Sequence, residues 1–145
     1  MPEYLYPYVV YLISLAVFGV AFREGDRPLK LAALLQFAGW TLTPIVHRGE
    51  KLILDYPVTT LDTLNALALV WISLRWRRIW CAVLAALGIL IVIIPFARVF
   101  DRSIHLYNQY AANNIVSNFM LIVVVVATWQ AVSARRRADE AAVRS

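Results

Sequence analysis

Hydrophobic residues in this chain are grouped into five long stretches, which short polar segments separate. A helix needs about 20 mostly apolar residues to cross the hydrocarbon core of a bilayer. The five stretches approach that length, and they lie at residues 5–22, 29–46, 58–74, 79–97 and 111–134. This pattern predicts an all-α transmembrane helical bundle of five spans in residues 1–134, followed by a charged cytoplasmic tail at residues 135–145.

Three arginines keep the third and fourth stretches apart. Arg75, Arg77 and Arg78 lie between the two stretches. In one merged helix these side chains would lie near the bilayer centre, where each arginine costs about 2.5–3.5 kcal/mol. We therefore expect a tight turn at residues 75–78.

The composition indicates a membrane protein, and in such a protein a positive net charge does not by itself indicate nucleic-acid binding. Hydrophobic residues make up 61% of the 145 residues and charged residues 16%, whereas soluble domains average about 45–50% and 25%. A soluble globule of this size could not bury so much apolar surface, so soluble enzymes and regulators are excluded. The basic residues behind the net charge of +5 flank the apolar stretches. We expect them to set orientation, and no nucleic-acid partner is predicted.

Lysine and arginine are distributed unequally between the two sides of the predicted bundle. With the N-terminus outside, the ten on the cytoplasmic side are Arg23, Arg27, Lys30, Arg75, Arg77, Arg78, Arg135, Arg136, Arg137 and Arg144. The four on the outer side are Arg48, Lys51, Arg98 and Arg102. Cytoplasmic loops carry the excess of positive charge, so the N-terminus is predicted outside and the C-terminus inside. The first stretch does not enter this test, and we expect it to span because residues 4–22 carry no charge.

Polar residues with possible chemistry are concentrated on the predicted outer side. They are His47, Arg48, Glu50, Lys51, Asp55, Asp62, Arg98, Asp101, Arg102 and His105. The two histidines with nearby carboxylates could bind a divalent metal, ligate haem or relay protons. The preferred interpretation is ordinary charge at the water interface, so no cofactor is predicted. Asp101 and His105 are four residues apart, as in a pair on one short helix.

Asp62 lies inside the third stretch, and a carboxylate within a membrane is a candidate functional residue by default. The segment from Thr59 to Asp62 also matches a capping box, in which Asp62 would satisfy the first amides of the helix. Capping is the preferred interpretation. Asn65 lies one turn deeper on the same face and fits either role.

Amides lie deeper in three of the predicted spans. Gln36, Asn65 and Asn118 are placed to hydrogen-bond between helices, a contact worth about 0.6–2 kcal/mol each. Asn114 and Asn118 are four residues apart and share one face of the fifth span. They could line a shallow outward-facing cavity, but contacts between helices are the preferred role.

The predicted inner turn alternates cations with aromatic rings. Its residues are Arg75, Trp76, Arg77, Arg78 and Trp80. Such a segment could bind anionic lipid headgroups or a cytoplasmic partner. A topology anchor is a sufficient explanation, and it is the one preferred. Cys81 is the only cysteine, so an intrachain disulfide is excluded.

Several of these features resemble a group of small uncharacterised multi-span proteins of bacterial inner membranes. The resemblance rests on Asp62, on the turn from Leu74 to Trp80, on Tyr110-Ala111 and on Thr128-Trp129. It covers about the last two thirds of the chain. Those proteins carry a histidine near the end of the fourth span, where this chain has Phe96-Ala97-Arg98. The resemblance implies a multi-pass protein of the bacterial inner membrane and brings no activity with it.

The sequence therefore favours a non-enzymatic integral membrane protein that acts through helix–helix packing. It would be an accessory or assembly subunit, or a small homo-oligomer, with the lipid bilayer and other membrane subunits or itself as partners. The alternative is a small permease or pore of the holin type, which would need polar residues facing an interior. A membrane enzyme at the outer face, with Asp62, His47 or His105 as acid–base groups, is the third hypothesis.

Overall fold

The computed structural model describes residues 6–47 and 54–144, and the side chains from residue 8 onward within those ranges. This part of the chain forms five helices and no other regular element. The helices are α1 (Tyr6–Glu24), α2 (Arg27–Val46), α3 (Tyr56–Trp76), α4 (Ile79–Phe100) and α5 (Leu106–Arg144). Arg48, Glu50 and Lys51, which the sequence places in the outer polar set, lie outside the described residues, as does the first residue of the predicted span 5–22.

Four of the described helices, α2 to α5, are long and apolar enough to cross a membrane. The chain is thus an all-α protein with the features of a multi-pass membrane protein. α1 as a fifth span, like the orientation of the bundle, stays a prediction. α5 has 39 residues and continues past the predicted span 111–134, so residues 135–144 extend the same helix.

Consecutive helices pack against each other as antiparallel neighbours, and α5 returns to pack against α1 and α2. The two ends of the bundle therefore differ in their connections. We call one the turn end, formed by the short links at residues 25–26 and 77–78. The other is the loop end, where α2 and α4 end and α3 and α5 begin.

Local sequence signals explain where the helices begin and end. Pro28 and Pro57 lie in the first turns of α2 and α3, where a missing amide hydrogen has no cost. The predicted tight turn after α3 is also present: Arg77 ends the helix in the left-handed conformation, with a φ of 48°. Pro44 and Pro95 lie inside α2 and α4 and do not end them.

The core contains large aliphatic side chains together with small residues that let the helices approach. Leu29, Leu69, Leu84 and Val124 are almost completely buried. Most other large apolar side chains are exposed, which suits a lipid-facing surface better than an aqueous one. Gly88 of α4 has no side chain to separate α4 from α3, and a Cβ there would lie 3.4 Å from Ala66 Cα and 3.2 Å from Leu69 Cδ1.

Candidate functional site

A histidine–carboxylate contact joins the end of α2 to the start of α3. His47, which ends α2, has its Nδ1 atom 2.6 Å from Oδ2 of Asp55, which precedes α3. The backbone amide of His47 also donates to Thr43 O over 3.0 Å. The contact therefore fixes the ends of two neighbouring helices at the loop end.

The second histidine is not part of this contact. Residues 101–105 form a bend and turn between α4 and α5, so the predicted short helix carrying Asp101 and His105 is wrong. The carboxylate of Asp101 turns back on its own loop and accepts from Ser103 N over 2.9 Å. Hydrogen bonds from the side chain and the backbone of Ser103 lower the pKa of Asp101. Within residues 6–47 and 54–144, no three His, Cys, Asp or Glu side chains are grouped as metal ligands.

Asp62 does not cap α3. The helix begins at Tyr56, directly after Asp55 and with Pro57 in its first turn, so Thr59 is already helical. The hydroxyls of Thr60 and Thr63 bond back to Tyr56 O and Thr59 O, at 2.8 and 2.7 Å. Asp62 is consequently a half-buried carboxylate about 9 Å into the helix, at 1.5 Å per residue. The capping interpretation is wrong because it started the helix too late.

Asn65 lies one turn deeper and faces α2. A Cβ on Gly39 of α2 would be only 3.2 Å from Asn65 Nδ2, so the glycine leaves room for this amide. Asn65 Oδ1 is buried and has no hydrogen-bond partner among the described residues. The amide therefore lies between α2 and α3, and no described residue satisfies its oxygen.

Asn65 belongs to a larger group of buried polar atoms in the half of the bundle toward the loop end. We call it the loop-half polar set: Thr41 Oγ1, Asn65 Oδ1, Arg98 Nη1, Gln109 Oε1 and Asn113 Oδ1. Each atom lacks a hydrogen-bond partner among the described residues. Four helices contribute to the set. Because buried polar atoms normally bind water or another polar group, this half of the bundle is suited to polar occupants.

Gln36 lies deeper, where it joins α2 to α5. Its Nε2 atom is 3.7 Å from Met120 Sδ, and the side chain is almost completely buried. This is a contact between helices, of the kind predicted for the amides, although its acceptor is a thioether. The sequence alone could not identify a partner 84 residues away.

Asn114 and Asn118 lie on the other side of α5. The buried positions of this helix recur at Val116, Met120 and Val124, and a helix advances by about 100° per residue. Both asparagines are two residues from Val116, which places each about 160° away from it around the helix. Asn114 is exposed and Asn118 is half-buried, so neither lies in the centre of the core.

A charged cavity of about 300 Å³ lies at the turn end. Its charged lining residues are Glu24, Asp26, Arg78 and Arg135. Leu29 and three alanines of α5 form an apolar wall, and Trp80 and Gln130 complete the lining. The cavity therefore combines two carboxylates, two guanidinium groups and an apolar side.

Two ion pairs, one shorter than the other, connect these charged side chains. Arg78 Nη1 is 2.5 Å from Asp26 Oδ2, whereas Arg135 Nη1 is 3.5 Å from Glu24 Oε2. Asp26 also caps α2, since its Oδ1 accepts from Leu29 N over 3.4 Å. The first pair is held in place by the helix cap, and the second is a looser contact on a more exposed part of the surface.

Gly25, between Glu24 and Asp26, allows the close approach of α1 and α2 at the cavity. A Cβ at Gly25 would lie 2.2 Å from Ala21 O and 2.9 Å from Leu29 Cγ, so only glycine fits between α1 and α2. Arg78 and Trp80 belong to the inner turn predicted from the sequence, whereas Glu24, Asp26 and Arg135 were not predicted as site residues. The glycine between two acids was the available signal, whereas the approach of Arg135 comes from packing across 111 residues.

The other residues of the predicted inner anchor lie beside the cavity and do not line it. The Arg75 guanidinium carbon is 5.6 Å from the ring centroid of Trp76, and Trp71 packs edge-on against the same ring at 5.7 Å. Arg77 is exposed in its left-handed conformation. These contacts form an aromatic and cationic cluster at the C-terminal end of α3.

Comparison of the chain with protein-family models, with curated proteins and with solved structures gives no match.

Proposed function

We propose that this chain is an integral membrane protein that works by packing its helices against further helices and catalyses no reaction. It acts as a small homo-oligomer or as an accessory or assembly subunit. We further propose that α1 also spans, that the N-terminus is outside and that the turn end faces the cytoplasm of a bacterial inner membrane. Support for this orientation comes from basic residues near the turn end, such as Arg27, Arg77 and Arg136.

One observation carries the proposal: an exposed stripe on α5 repeats with heptad spacing. Its residues are Ile115, Asn118, Ile122, Val125 and Trp129, at steps of three, four, three and four. Asn118 is half-buried, and the other four are exposed to between 44% and 69%. Heptad spacing keeps one face of a helix against a partner helix over several turns. We call this surface the α5 stripe.

Asn118 is the polar member of the α5 stripe, and lipid chains offer no hydrogen-bond partner to its side-chain amide. Asn118 lies directly before the apolar run 119–127 of α5, with exposed Asn114 one turn before it. Asparagine at such a position hydrogen-bonds across helices and sets their register. A second copy of α5 presents the same amide, so a two-fold contact between copies is the arrangement that the α5 stripe favours. An accessory subunit would use the same face against a different helix.

The mass of the purified complex tests this proposal. The chain is purified from native membranes in mild detergent, and its complex mass and co-purifying proteins are determined together. We expect a homo-oligomer or a stoichiometric complex. Asn118→Leu should weaken the assembly about 3- to 20-fold, the equivalent of about 0.6–1.7 kcal/mol. The control is Asn108→Ala, an exposed amide in the first turn of α5.

Two results would overturn the proposal. One is a monomer without partners both in mild detergent and in lipid bilayers. The other is an equal effect of Asn118→Leu and Asn108→Ala on the assembly.

A small permease or pore is the second candidate, and the loop-half polar set favours it. Polar atoms from four helices are buried there, as the entrance of a pathway requires. The core toward the turn end is apolar, with Leu84, Val124 and Ala127 buried, which favours the packing function over transport. Ion flux through liposomes that disappears in Asn65→Leu and Asn113→Leu would reverse this order.

A further inference from the structure

We infer that the charged cavity at the turn end binds the phosphoethanolamine headgroup of a zwitterionic phospholipid. This inference goes beyond the packing function, because the cavity does not include the α5 stripe.

The charges of the cavity fit a ligand that carries both signs. Glu24 and Asp26 would repel a purely anionic headgroup, and Arg78 and Arg135 would repel a simple cation. Phosphoethanolamine has an ammonium group and a phosphate a few bonds apart, so each end finds the opposite charge. The cavity volume of about 300 Å³ is at the lower end of the range for small-ligand sites.

The two ion pairs suggest how the headgroup would enter. The contact between Arg135 and Glu24 is long, at 3.5 Å, and lies on the surface, so opening it costs little. The ammonium would then bind Oε2 of Glu24, whose Oε1 stays 3.3 Å from Arg23 Nε, and the phosphate would bind Arg135. Arg78 is already oriented by Asp26 and keeps further N–H groups for the phosphate.

The apolar wall favours a lipid over free phosphoethanolamine. Leu29 with Ala127, Ala131 and Ala134 forms the apolar side of the cavity, from the buried Leu29 and Ala127 to the exposed Ala134. Small alanine side chains leave room for the glycerol and the start of an acyl chain. The half-buried Trp80 in the lining is an aromatic ring of the kind found at headgroup level.

Ethanolamine is favoured over choline because its ammonium has three hydrogens to donate. Such a charge-assisted hydrogen bond to a carboxylate distinguishes the two headgroups by about tenfold. A trimethylated amine cannot donate to Glu24 or Asp26.

Native mass spectrometry of the full-length protein tests the inference. The protein is stripped of lipid in detergent and offered an equimolar mixture of phosphatidylethanolamine, phosphatidylcholine and phosphatidylglycerol with identical acyl chains. We expect the phosphatidylethanolamine adduct to exceed each of the others about tenfold. Soluble phosphoethanolamine should displace that lipid only at large excess, and inorganic phosphate at the same concentration should not.

Matched variants locate the binding site. Glu24→Gln should remove the preference for phosphatidylethanolamine over phosphatidylcholine, and Arg135→Gln should weaken both lipids. The controls are Asp139→Asn and Arg136→Gln, since both residues are exposed on α5 and outside the cavity lining. If Glu24→Gln unfolds the α1–α2 turn, Arg135→Gln tests the site alone, because Arg135 is exposed on α5.

Three results would overturn the inference. The three lipids could bind equally, the cavity variants could behave like their controls, or soluble phosphoethanolamine could bind as tightly as the lipid. The last result would contradict the lipid source. None of them would affect the oligomer mass, so failure here is distinct from failure of the packing function.

Discussion

Arg78 and Asp26 form an ion pair with 2.5 Å between Nη1 and Oδ2, and this pair joins the α3–α4 turn to the α1–α2 turn. Asp26 also caps α2 through Leu29 N. One carboxylate therefore connects two hairpins of the bundle and stabilises the start of a helix, beside the cavity to which we assign a lipid headgroup.

Substitutions at Asp26 should separate its two roles. Asp26→Ala removes both the cap and the ion pair, and we expect it to lower the free energy of unfolding by about 1–2 kcal/mol. Asp26→Asn keeps a capping oxygen and should cost less than half as much. Unfolding in mixed detergent micelles measures both. Arg78→Gln combined with each variant completes the cycle, and identical losses in Asp26→Ala and Asp26→Asn would contradict the capping role.

Gly25 should tolerate no side chain. We expect Gly25→Ala to destabilise the protein by about 1–3 kcal/mol, because the new methyl would overlap Ala21 O. The matched control is Gly19→Ala in α1, where a Cβ meets nothing within 4 Å. A helical Gly→Ala change at such an open position stabilises by about 0.5–1 kcal/mol. Thermal unfolding should therefore shift in opposite directions, and a shift of the same sign in both variants would contradict the geometry.

Gly88 should tolerate only a small change at the α3–α4 contact. Gly88→Ala needs Leu69 to move by a few tenths of an ångström, whereas Gly88→Val adds atoms toward the Ala66 backbone. We expect Gly88→Val to lower stability by about 1–3 kcal/mol. Ala86→Val on the exposed side of α4 serves as the control and should change stability little. Equal unfolding temperatures for the two valine variants would show that the helices are farther apart at this position.

The folded conformation of the α4–α5 loop should become less stable as the pH falls. Hydrogen bonds from Ser103 lower the pKa of Asp101 below its ordinary value, so the ionised form stabilises the folded loop. This stabilisation is present above the ordinary pKa and is lost as the pH falls through the lowered one. Ser103→Ala should raise the pKa of Asp101 toward its ordinary value, which NMR titration of the carboxyl group measures. An unchanged pKa would mean that the backbone amide of Ser103 alone stabilises the charge.

Hydrophobic pattern was sufficient to predict the helices, with ends that differ from the observed ones by up to a few residues outside α5. The predicted span 58–74, for example, corresponds to Tyr56–Trp76. α5 extends farther at its C-terminal end because residues 134–144 are rich in alanine and arginine, which form helices outside the membrane as well. The Asp62 cap failed because two competing signals, Asp55 and Pro57, start α3 earlier.

The candidate sites were less predictable because they depend on contacts between distant segments. Glu24 and Arg135 lie 111 residues apart, and neither has a motif that indicates the other. Likewise, Thr41 and Gln109 in the loop-half polar set belong to no local motif that indicates a shared group of polar atoms. Periodicity indicates which face of a helix is apolar but not which two helices bring their polar residues together.

Cysteine cross-linking across the α5 stripe tests the packing function most directly. The experiment starts from Cys81→Ala, which leaves the chain without a cysteine. Ile115→Cys and Ile122→Cys are then introduced separately, and native membranes that contain each variant are treated with an oxidant. Leu67→Cys, exposed at a similar depth on α3, is the control. We predict disulfide-linked dimers, or a cross-link to one partner, from the two α5 positions and not from position 67. Equally low cross-linking at all three positions would contradict helix packing through the α5 stripe.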